Sequence, residues 1–375
     1  MLIKGNTIVS KNIHNILLIQ LGDIGDVVLS FPCIKALKEN FSKANIIVAV
    51  KEKARELIED CPWATGNISI NKQKRKLYQE LSYQKQFFYH LRKFNFDLAI
   101  DLRTGTRGAI LALMSGAPQR IGRFADDGRL WRNRIFTHLV SPLNELSQYA
   151  SEHNINILSP LNLKIRDRLP VLFVTQRRRE MALSILKQEK IPFDRPIVAV
   201  HPYSLWRYKE WRTKEFISLI DYISIHYNYI VVITGAEEER NRAEETIKGC
   251  KATVFNLAGK TSIGTLPAVF EICGLFVGVD TAALHVAAAV GTPTIGIFGP
   301  SSPINWAPKG DQHCVVSKNM LCVPCRKKGC QHSETSRCLD ELIFEEIKET
   351  VDRQLKLMST QTSIVSEQKF NQHLK

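Results

Sequence analysis

No stretch of this 375-residue sequence approaches the roughly 20 apolar residues that a membrane-spanning helix requires. The first apolar run, Ile16 to Leu21, stops at Gly22-Asp23, and the polar segment Met1 to His14 ahead of it is no secretory leader. A cytoplasmic location is therefore expected. The three-glycine dinucleotide fingerprint is missing, which argues against a Rossmann oxidoreductase or a nucleotide-sugar epimerase. No Gly-Lys-Ser/Thr ending marks a P-loop, and no Asp-x-Asp stands out as a metal triad. Nine cysteines, four of them isolated at Cys33, Cys61, Cys250 and Cys273, do not make a secreted disulfide framework. Acids are short as well, 37 against 51 Lys and Arg. The resulting net charge of +14 calls for anionic partners, whether nucleic acid, phospholipid head groups or phosphorylated ligands.

What is present is an ordinary globular balance, 44% hydrophobic and 23% charged, in a chain long enough for two domains with a core in each. The first half alternates buried-type strands with helices: Asn15–Gln20, a Gly-Asp loop, a helix over Pro32–Asn40, a strand Asn45–Val50, a strand Phe96–Leu102 and a helix Arg107–Ser115 closed by Gly116. The pattern restarts with strands over Pro196–Val200, Tyr229–Thr234, Leu275–Val279 and Thr294–Phe298. The helix Thr213–His226 carries Phe216, Leu219, Ile220 and Ile223 at helical spacing. Alternation of this kind predicts an α/β chain of two parallel, doubly wound sheets. The polar, aperiodic segment from Ser359 onward reads as a disordered tail.

Chemistry is concentrated in loops after strands. Leu21-Gly-Asp-Ile-Gly-Asp-Val27 puts two carboxylates, Asp23 and Asp26, at the mouth of the first loop. They either cap the next helix or take a proton from an incoming hydroxyl. In Gly278 to Gly291 a strand runs directly into an alanine-rich helix. Asp280 or Thr281 suits the N-cap, and Ala282 and Ala283 leave the first-turn amides uncovered for an anion, with His285 one turn on. Lys209 in Lys-Glu-Trp-Arg212 is a phosphate partner or a solvated lysine. The acids of Gly235-Ala-Glu-Glu-Glu239 either bind ribose hydroxyls or favour a helix start. Cys322, Cys325, Cys330 and Cys338 leave a structural zinc, disulfides or free thiols open.

Taken in order, Gly25-Asp-Val-Val-Leu-Ser-Phe-Pro32, Phe96 to Arg103, Arg120-Ile-Gly122, Lys209 to Arg212, Gly235 to Glu239, Leu257-Ala-Gly259, and Asp280 to His285 through Gly291-Thr-Pro293 resemble glycosyltransferase family 9, the bacterial lipopolysaccharide heptosyltransferases. The resemblance spans roughly Asn15 to Glu346. It implies a GT-B fold, two Rossmann-like domains facing each other across a cleft. An acceptor domain covers 1–170, a nucleotide-sugar donor domain 171–358, and the tail 359–375. It implies an inverting, metal-independent transferase that moves heptose from ADP-heptose onto a lipopolysaccharide core or similar anionic lipid-linked saccharide. The enzyme would be peripheral at the cytoplasmic leaflet of the inner membrane, with no catalytic cofactor and no nucleic acid.

By the same resemblance Asp26 is the general base, with Asp23 its rival. Lys209, Glu238, Glu239, Asp280, Thr281, Ala282 and His285 hold the donor. Asp23, Arg103, Arg120 and Arg123 are expected to receive the acceptor. Two departures stand out: Arg212 replaces the proline that many members carry after Trp, and the Gly-Asp pair is doubled. A different class remains in view. Arg120, Arg123, Arg129, Arg132 and Arg134, interleaved with Phe124, Trp131 and Phe136, have the composition of a non-enzymatic nucleic-acid-binding stretch over 120–134.

Overall fold

The structure, a computed structural model, describes residues 1–8, 13–71, 76–128 and 131–372. The chain forms two compact units, Met1–Phe173 and Val174–Lys375. Strands of the first are β1 (Leu2–Lys4), β2 (Asn15–Gln20), β3 (Asn45–Lys51), β4 (Gly66–Ile70), β5 (Leu98–Asp101), β6 (Gln119–Arg123) and β7 (His138–Val140). They assemble in the order β1-β7-β6-β5-β2-β3-β4. All neighbours pair in parallel except β1, which lies antiparallel on β7 at the edge. Counted from β2, the parallel strands read 3-2-1-4-5-6, the doubly wound order.

The second unit repeats the order with β8 (Ile197–His201), β9 (Ile230–Ile233), β10 (Val254–Asn256), β11 (Leu275–Val279), β12 (Thr294–Phe298) and β13 (His313–Ser317). Its sheet, β10-β9-β8-β11-β12-β13, is wholly parallel. The central strands explain themselves. Ile16, Leu17, Leu18 and Ile19 in β2 and Val198, Ala199 and Val200 in β8 have no solvent exposure, as strands covered by helices on both faces must. Each wound sheet reverses direction between its first and fourth strands, β2/β5 in one and β8/β11 in the other. Loops leaving those carboxyl ends open the crevice in which doubly wound sheets bind ligands.

The helix Thr213–Asp221 buries Phe216, Leu219 and Ile220 and continues as a π turn, Tyr222–His226, with Ile223 in the same core. The last helix, Phe344–Gln372, adds Phe344, Ile347, Val351, Leu355 and Met358 to that core. It runs on through most of the segment read from composition as a disordered tail. Neither proline nor glycine interrupts 343–372, so no residue there stops a helix once packing has started it.

Candidate active site

In the first unit the switch point gathers charge. Asp23 occupies the N-cap of the short helix Ile24–Val28, and Asp26 sits three residues in. The Asp26 Oδ2 accepts the Asp23 amide at 2.9 Å, so half of the capping reading holds. The same oxygen lies 2.7 Å from the Arg103 guanidinium, which arrives from beyond β5. Glycine at 22 is obligatory here, because a Cβ would fall 2.7 Å from Asp26 Cγ. Asp23 faces elsewhere. Its Oδ1 meets Lys51 at 3.0 Å and Lys53 at 2.8 Å, both at the end of β3. Partial burial raises the Asp23 carboxyl, but the two ammonium groups outweigh it and hold it at about 2. The two acids that the sequence left as rivals thus hold different cations, Asp23 two lysines and Asp26 one arginine.

Beneath this loop lies a buried ion pair. Asp101, at the end of β5, is 3.3 Å from Arg132, and both side chains are almost completely enclosed. Burial pushes the Asp101 carboxyl up while Arg132 opposes the shift. Arg132 also donates to the carbonyls of Arg103 (2.5 Å) and Arg123 (2.7 Å), and Asp101 accepts the Arg103 amide at 3.1 Å. The pair therefore fixes the backbone that presents Arg103. From the sequence Asp101 was not singled out as a site residue, and Arg132 was named only within the basic stretch. The signal for Asp101 was an acid closing a buried strand two residues before an arginine.

The basic stretch does not form a free cationic face. Arg132 is buried over the Phe136 ring. Arg120 donates to the carbonyls of Ile135 and Ala117, and Arg123 pairs with Glu145 at 2.5 Å. Trp131 and Arg134 are exposed, Phe124 packs against the core, and Arg129 lies outside the described residues. Arg120 and Arg123, expected at the acceptor, are thus tied to the sheet's far strands rather than to Asp26. The composition suggested nucleic acid only because sequence cannot show which guanidinium groups are already engaged.

In the second unit the switch point joins Lys209 to the helix Ala282–Ala289. Lys209 lies 2.7 Å from Asp280, whose side chain is only 5% exposed. His285 is 4.0 Å from the other Asp280 oxygen. An ammonium has three donors, so Asp280 can orient Lys209 and leave it able to meet an anion. Thr281 takes the N-cap position but makes no side-chain cap bond, and Ala282 behind it is partly open. That leaves the helix start to amides and dipole.

The Lys-Glu-Trp run divides the labour. Lys209 faces the helix. Glu210 accepts the Ser204 amide at 3.0 Å and is gripped by both Arg242 nitrogens, at 3.1 and 2.5 Å. Trp211 is buried, with its indole N–H on the Leu342 carbonyl at 2.8 Å. Arg212, in place of the usual proline, pairs with Glu215 at 2.9 Å. At the carboxyl end of β9, where doubly wound sheets place a ribose-binding acid, stand the three glutamates. Glu238 is exposed, while Glu239 turns back to the Ala236 amide at 2.7 Å and burial raises its carboxyl. Close by, His201 at the end of β8 is buried against Thr234, and burial lowers it to about 4.

The four clustered cysteines are free thiols. Cys338 is buried and pushed up to about 11, first by burial and then by Cys330, Cys325 and Cys322. Among the described residues no three His, Cys, Asp or Glu side chains are gathered as metal ligands. Nor, among the described residues, is any helix long and apolar enough to cross a membrane.

Comparison with known proteins gives the family. The family model described as glycosyltransferase family 9 (heptosyltransferase) matches residues 85–335. The chain belongs to glycosyltransferase family 9. It is 29% identical over 294 residues to lipopolysaccharide heptosyltransferase 3 of Escherichia coli, covering 76% of this chain and 83% of that one. Among solved structures, a family 9 glycosyltransferase from Veillonella parvula superposes with a TM-score of 0.76 at 19% identity, over 91% of this chain and 97% of the other. The E. coli ADP-heptose lps heptosyltransferase II gives 0.72 at 20% identity, over 93% and 99%. The fold is therefore GT-B, with two Rossmann-like units, and the protein is a glycosyltransferase. The reading of a non-enzymatic protein is thereby excluded.

Proposed function

We propose that this glycosyltransferase moves heptose from ADP-heptose onto an anionic lipopolysaccharide core or similar lipid-linked saccharide, with inversion and without a metal. The observation that carries the mechanism is the pairing of Lys209 and Asp280 against an uncapped helix start. The leaving diphosphate gains charge as the glycosidic C–O bond breaks. Lys209 and the amides of Thr281 and Ala282 meet that charge, a neutralisation that elsewhere a divalent ion supplies. Asp280 and His285 border the donor sugar, and Glu238 with Glu239 serves the ribose.

In the first unit Asp26 removes the proton of the attacking hydroxyl, and Arg103 receives the acceptor's charge. Asp23 acts by holding Lys51 and Lys53, and Arg120 and Arg123 brace the strands behind. A net charge of +14 suits an enzyme that docks on the anionic cytoplasmic leaflet to reach a lipid-linked acceptor. The names of the relatives support the donor and acceptor classes.

The test is turnover of ADP-heptose with a deacylated core saccharide in the presence of excess chelator. Product with inverted anomeric configuration and an undiminished rate is expected. Retention of configuration, or loss of rate on chelation that added metal restores, would refute the mechanism.

A further inference from the structure

Arg103 is at once the partner of Asp26 and an accessible cation, its side chain 46% exposed against 22% for Asp26. Its backbone is pinned on both sides by Asp101 and Arg132, so the guanidinium is the part that can exchange partners. Lys51 and Lys53 stand on the other flank of β2, held by Asp23. Three cations thus surround two carboxylates, leaving a formal surplus of one positive charge at the loop. An ion pair over a proton-accepting carboxylate works against it, because the guanidinium occupies the oxygen that would take the proton.

We infer that Arg103 is a lock on Asp26 which the acceptor itself opens: a carboxylate or phosphate on the incoming saccharide draws the Arg103 guanidinium away and frees the Asp26 oxygen for the attacking hydroxyl. This rests on Asp26 being the base. With Arg103 on the acceptor's anion, the hydroxyl proton passes to Asp26 Oδ2 and the hydroxyl oxygen's electron pair forms the new bond to the sugar's anomeric carbon. The old C–O bond's electrons leave with the diphosphate. An uncharged acceptor leaves Arg103 where it is and meets a masked base. Arg103 is therefore a residue of specificity, coupling the acceptor's charge to turnover as well as to binding. The groups facing Asp26 are the Asp23 amide and Arg103, with Asp23, Lys51 and Lys53 behind.

The experiment uses the full chain, ADP-heptose and a deacylated core saccharide in three forms: native, carboxyl-reduced and dephosphorylated. For the wild type, kcat/KM falls roughly 10- to 100-fold on whichever neutralised form has lost the recognised anion, the usual worth of a charge-assisted contact, with kcat falling as well as KM rising. Arg103→Gln loses rate on the native acceptor and treats all three forms alike, in kcat as well as in KM. Arg103→Lys recovers part of the discrimination. An Arg103→Gln enzyme that discriminates like the wild type, or a wild type whose discrimination lies in KM alone, overturns the lock. Asp26→Asn separates the two claims. If it turns over normally, the base assignment fails and the lock with it. If it is inactive while Arg103→Gln still discriminates, the lock alone fails.

Discussion

The two units share one strand order and furnish it in opposite ways. At the first switch point, carboxylates and cations sit in a partly open loop, with Asp26 and Arg103 both reachable by solvent. At the second, a single carboxylate is enclosed and its work is to aim one lysine at a helix start. Sheet topology fixes where a ligand lies and leaves the loop residues to decide what happens to it. A partly open acid suits proton transfer with a substrate that comes and goes, whereas a buried one suits permanent orientation of a cation.

Substitutions can break that contrast, and the largest effect is expected at Asp26. Asp26→Asn should cut turnover roughly 10²–10⁴-fold, the usual worth of a positioned base, while nucleotide binding stays intact. Asp23→Asn should cost far less. The reverse order in a rate assay would exchange the roles of the two carboxylates. Next comes the buried pair beneath the loop. Arg132→Met strands Asp101 without its counter-ion and should destabilise the first unit by about 3–5 kcal/mol in denaturant unfolding. A midpoint unchanged from wild type would mean that the pair contributes nothing to the scaffold.

On the donor side, Lys209→Ala should weaken ADP binding on the order of ten- to a hundredfold, and Ala282→Glu should all but abolish it by placing a carboxylate where the diphosphate goes. Calorimetry reads both, and undiminished affinity in the two variants would remove the diphosphate from this turn. The smallest effect concerns His201. It is held neutral down to about 4 in the fold, whereas the unfolded chain takes up its proton near 6.5. Its contribution is therefore complete above pH 6.5 and is lost as pH falls toward 4. Two other histidines, His153 and His313, are lowered into the same window. His201→Asn should flatten the pH dependence of stability there only in part, and an unaltered slope would show that His201 does not titrate in this way.

How much of this was legible in the sequence depended on burial. The central strands announced themselves as apolar runs, and Leu275–Val279 and Thr294–Phe298 match their expected bounds. Edge strands did not. β6 is Gln-Arg-Ile-Gly-Arg with only Ile121 and Gly122 buried, and β10 is partly open along its whole length, so neither carries a clear period. Site residues showed the same division. Lys209, Asp280 and Thr281 lie in the loop or helix start right after a strand. Lys51, Lys53, Asp101 and Arg132 act through partners 28 to 31 residues away, a relation only the folded sheet creates.

The place of the last helix has a genetic consequence. Trp211, beside the donor lysine, hangs its indole on the carbonyl of Leu342, and Phe344, Ile347, Val351, Leu355 and Met358 fill the second unit's core. A stop codon just after Glu341 would delete that anchor and expose apolar surface worth on the order of 10 kcal/mol, about the whole stability of a typical domain. Stop codons between Glu341 and Met358 should therefore behave as nulls with little accumulated protein, while stops beyond Met358 should be tolerated. Immunoblots across a series of late stop codons would place the boundary.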